Sequence, residues 1–149
     1  MSTNEEEIIE AREKRRIQRV SGLITESEYS DGTLTNVHKS LNTAFDHVRA
    51  ERLIEARSVA EAVQLFCDEL DERREEQFGD ASGTVREVVN LLEQSTDQHR
   101  VAAEHLVDAI DALEAGDDSQ AALRFEDATR EQSVAVDISD QLNDRLEGI

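Results

Sequence analysis

Apolar residues return every three or four positions along most of this chain, the interval that lines side chains up on one face of an α-helix. The run is cleanest over 82–115, where Val85, Val88, Leu92, Ser95, His99, Ala102, Leu106, Ala109 and Leu113 alternate without a slip. Its ends are apolar, and Ser95 and His99 interrupt its middle. The next run, 118–147, carries Ala121, Phe125, Ala128, Gln132, Ala135, Ile138, Leu142 and Leu146. An earlier run, 35–78, holds two stripes: Leu34, Val37, Leu41, Phe45 and Val48, then Val59, Val63, Phe66 and Leu70. Glu51, Arg52 and Glu55 disturb the register between them, so the helix bends there or turns its face to another neighbour. Unbroken, it would be roughly 65 Å long.

A shorter pattern, Ile9, Ile17 and Val20, predicts a first helix over about 4–21. Ser2, Thr3 and Asn4 each precede a glutamate by three residues, the spacing of a capping box, and Gly22 reads as the stop. Thr25 and Glu28 offer a second box, opening a short helical turn that ends by Asp31 and Gly32. Further on, Gly79 and Gly116 separate the long runs, and connections this short return a chain antiparallel to itself. Folding about Gly116 sets Leu113 against Ala121, Ile110 against Phe125, Leu106 against Ala128, and His99 against Gln132 or Ala135. Folding about Gly79 sets Phe66 against Ser95 and Val63 against His99. The front of the 35–78 helix then reaches the Gly116 turn, an end that the N-terminal helix or a second subunit would cover. The expected fold is all-α. An N-terminal helical arm, 1–32, precedes an elongated antiparallel, coiled-coil-like bundle of three long helices, 33–149.

Composition changes the picture in two ways. The 149 residues include no proline and only 3% aromatics, so helices run unbroken and the core is built from Ala, Val, Leu and Ile. The net charge is −19, with Lys14 and Lys39 the only lysines, a balance that suits concentrated salt, where dense like charge is screened. A halophilic source is expected. The lone cysteine, Cys67, excludes an intrachain disulfide, and its neighbours Phe66 and Leu70 point to a buried apolar role. No apolar run approaches membrane-spanning length, and Glu5, Glu6 and Glu7 are unlike a signal peptide, so the expectation is no membrane insertion and a cytoplasmic place or one in a soluble assembly.

The stretch Arg16–Tyr29, and more loosely 9–30, resembles the SHOCT domain, with Gly22, Leu23, Ile24, Thr25, Glu28 and Tyr29 matching its pattern. The resemblance implies a short helical module that promotes oligomerisation. It lies at the N-terminus here, and the basic residues that commonly follow the aromatic are missing.

Candidate chemistry is sparse. A di-iron bundle needs Glu-x-x-His pairs, and the residues three before His38, His47, His99 and His105 are Thr35, Ala44, Thr96 and Ala102. Phosphate loops, nucleophile elbows and Cys–His pairs of useful spacing are missing too, so no enzyme, metal or cofactor is expected. His99 sits on the helical seam, where Ser95, Thr96, His99 and Gln132 would form a polar layer that fixes register. Arg12, Lys14, Arg15, Arg16 and Arg19 form the one basic cluster, and they balance the five glutamates of residues 1–20. Docking on a protein partner, or on another copy in a homo-oligomer, is the expected use of these charges. A small DNA-associated regulator is the alternative, disfavoured by the acidic remainder and by the lack of interleaved aromatics.

Overall fold

The computed structural model describes residues 3–25 and 31–148, and every regular element among them is a helix. These are α1 (Thr3–Thr25), α2 (Leu34–Arg49), α3 (Leu53–Phe78), α4 (Gly83–Glu114) and α5 (Asp118–Glu147). The short turn expected at 25–32, with Glu28 and Tyr29 of the SHOCT-like stretch, falls largely outside the described residues. No helix among the described residues is long and apolar enough to cross a membrane.

The 35–78 run is not one helix. It breaks after Arg49, and the backbone reverses at Glu51, which takes a left-handed φ of 60°. The Arg52 amide donates to the His47 carbonyl and the Glu51 amide to the Val48 carbonyl, the paired bonds of a Schellman C-cap. Gly116 closes α4 in the same way, with φ 76°, Asp117 donating to Ala112 and Gly116 donating to Leu113. Both reversals lie at one end, since Val48 and Arg49 of α2 share a surface groove with Leu113 and Phe125. The three expected long helices are therefore four, with α2 and α4 running one way and α3 and α5 the other.

Two apolar clusters fill the interior. Near the Glu51 and Gly116 turns, Leu41, Phe45, Val63, Leu106, Ile110 and Ala128 pack together, with Phe45 edge-on to Phe125 at 5.3 Å. Toward the Gly79 turn, Leu70, Phe78, Val88, Leu92 and Leu142 form the second. Alanines at 102, 109, 121, 128 and 135 are buried along α4 and α5, which lets the two backbones approach closely.

α1 corrects two expectations. It runs through Gly22 to Thr25, because Leu23 and Ile24 extend the buried line of Ile17 and Val20, and that burial outweighs the roughly 1 kcal/mol that a helical glycine costs. It also packs at the Gly79 end of the bundle, opposite the Gly116 end. There Ile17, Val20, Leu23 and Ile24 join the second cluster, and Arg16 pairs with Asp80 and lies 5.8 Å from the Phe78 ring.

Candidate functional site

Two features stand out against this frame: a polar layer between the apolar clusters, and the front half of α1. Ser95, Thr96 and His99 are fully buried on α4. His99 Nδ1 lies 2.8 Å from the Ser95 carbonyl, which can only accept, so Nδ1 carries the proton and Nε2 is left to accept. Facing Nε2 at 3.4 Å is Nδ1 of His38 on α2, the two rings meeting edge-on. His38 Nε2 takes a bond from the Asn42 amide at 3.1 Å, and Asn42 Oδ1 takes one from Gln132 Nε2 at 2.5 Å. Every donor in the row Gln132, Asn42, His38, His99 thus points inward, ending on the Ser95 carbonyl. On its other side Ser95 Oγ donates to the Ala135 carbonyl at 3.0 Å and meets Ser139 Oγ at 2.6 Å. Thr96 Oγ1 bonds back to the Leu92 carbonyl at 2.8 Å, while its own carbonyl faces the Cys67 thiol at 3.8 Å.

Burial pushes His99 down to about 4, helped by the neighbouring His38, and pushes the Cys67 thiol up to about 12. A thiol held protonated and sealed off is a poor nucleophile. Of the four residues expected in the layer, Ser95, Thr96 and His99 come together. Gln132 joins from the rim through Asn42 rather than touching His99. His38, Asn42 and Ser139 complete the layer and were missed. Ser139 was within reach, because the register that sets Leu113 against Ala121 sets Ser95 against Ser139.

The basic cluster divides. Arg16 is spent on Asp80, whose carboxyl it holds below its usual range. Arg12, Lys14, Arg15 and Arg19 are exposed and make no ion pair among the described residues. Ahead of them, Asn4 to Arg12 are exposed throughout, and Ile8 and Ile9 show 53% and 55% of their surface.

No known protein family, curated protein or solved structure matches this chain. The chemistry must therefore be read from these residues alone. No group of three or more His, Cys, Asp or Glu side chains among the described residues is placed to hold a metal ion. The polar layer joins α2, α4 and α5 at one level of the bundle through buried hydrogen bonds. The front of α1 offers a helical surface with apolar and charged residues both open to solvent.

Proposed function

We propose that this chain is a non-enzymatic helical protein that works through protein–protein contacts in a salt-rich setting, as an adaptor or a subunit of an oligomeric assembly. The observation that carries this is α1: its rear half is locked into the core, and its front half is a helix exposed on all sides from Asn4 to Arg12. Short helices are marginal in water on their own and gain stability by packing, so a helix anchored at one end and exposed at the other is suited to receive a partner. The resemblance to the SHOCT domain points the same way. A photoreactive residue in place of Ile8 should give adducts to a protein partner, whereas one in place of Ile54, still more open on α3, should not. An Ile8 position that captures nothing would sink this reading.

The four cations of α1 that make no ion pair among the described residues favour a second reading, a small DNA-associated regulator. Against it stand the five glutamates of the same helix and the −19 of the rest of the chain, which would repel phosphate. Filter binding to duplex DNA across a salt series separates the two, and retention that does not change with salt removes the second.

A further inference from the structure

We infer that the front of α1 pairs with the same segment of a second copy, antiparallel about a two-fold axis at Ala11, with Glu7 of each copy against Arg15 of the other. The inference rests on the reading of α1 as the contact element and names its partner. At 3.6 residues per turn, Glu7, Ile8, Ala11, Lys14, Arg15 and Gln18 share one side of α1, opposite the line of Ile17, Val20 and Ile24 that enters the core. All six are exposed.

Charge along this side is segregated, acidic at Glu7 and basic at Lys14 and Arg15. Parallel pairing would stack like on like, whereas antiparallel pairing puts unlike charges together twice. With Ala11 at the axis, the small side chain lets the backbones approach, and the methylene stem of Lys14 covers Ile8 of the other copy. The arrangement is self-complementary and closes at two copies.

The rest of the molecule argues for the same place. Residues 1–20 carry five acidic and five basic side chains, so the whole net charge of −19 lies beyond them. Two copies repel each other across their bundles and can meet without that penalty at α1. The contact is far smaller than the roughly 800 Å² per partner of a standard interface, so the dimer is weak and in rapid exchange.

Sedimentation equilibrium of the full chain tests this, up to about 1 mM and in the lowest salt at which circular dichroism shows it folded, where the charge pairs are least screened. Wild type should dimerise. Glu7→Arg and Arg15→Glu, each replacing both unlike contacts with like ones, should each weaken the dimer by about tenfold. Mixing the two variants should restore association, because one then presents arginine at both positions and the other glutamate at both. A chain that is monomeric throughout, or a dimer indifferent to both swaps, overturns the inference. Should Ile8 crosslink to a different protein while wild type stays monomeric, the proposed function stands and only the choice of partner falls.

Discussion

Burying the His99 imidazole leaves the folded protein with a group that resists protonation, while the unfolded chain takes up the same proton near pH 6.5. The folded value is depressed to about 4, so the native state binds fewer protons in between, and stability falls as pH drops from about 6.5 to about 4. Over that window the loss attributable to His99 is about 3 kcal/mol. Urea unfolding of wild type and His99→Gln at pH 7 and pH 4.5 would measure it, since carboxylate contributions common to both cancel. The wild type should lose more on acidification than the variant; equal losses would mean that the imidazole is not sealed in the interior. His38, Asn42 and Gln132 link it by hydrogen bonds to the exposed rim of the bundle.

Among the elements, the two Schellman turns form a natural comparison, because one uses Gly116 and the other Glu51 in the same left-handed conformation. A side chain there costs about 1 kcal/mol, so Glu51→Gly should stabilise the fold by about that much and Gly116→Ala should destabilise it similarly. At Gly116 no atom lies within 4 Å of an added Cβ, so the loss would reflect backbone conformation alone. Chemical denaturation of the two variants checks both signs, and a neutral Glu51→Gly would count against the left-handed turn. The same pair shows what was legible in the sequence. α4, α5 and their register could be read from periodicity and Gly116. The α2–α3 turn was visible only as disturbed register, because its left-handed position holds Glu51, where glycine is the usual signal. That one omission hid the His38–His99 contact as well. In an unbroken helix His38 would lie about 38 Å beyond Val63 and far from His99, and only the reversal at Glu51 brings it back. Gly22 misled in the opposite sense, since a glycine inside a helix is tolerated where the residues after it are as buried as Leu23 and Ile24.

Across the whole molecule, arginines join helices that would otherwise repel. Arg57 reaches Asp111 and Glu114 from α3, Arg100 reaches back to Asp68 and Asp71 from α4, and Arg145 on α5 meets Glu87. These contacts are mostly exposed and few beside 35 acidic residues, so repulsion should dominate in dilute salt. The Debye length shrinks from about 10 Å at 0.1 M to about 3 Å at 1 M, and the thermal midpoint should climb by roughly 5 °C or more between these salt levels. A falling midpoint would mean that the arginine contacts outweigh the repulsion they bridge. The placement of α1 also bears on the order in which the chain assembles. All three hairpins close on short loops, but at the Gly79 end α1 packs against residues far along the chain, Ile17 sharing a cluster with Leu142. Closing the longer loops costs more entropy, so this end should zip up last and breathe first. Native-state hydrogen exchange would then find the slowest amides around Leu106 and Ala128, and faster ones around Val20. The helix end that anchors the exposed segment is thereby the part of the core that can let go while the rest stays folded.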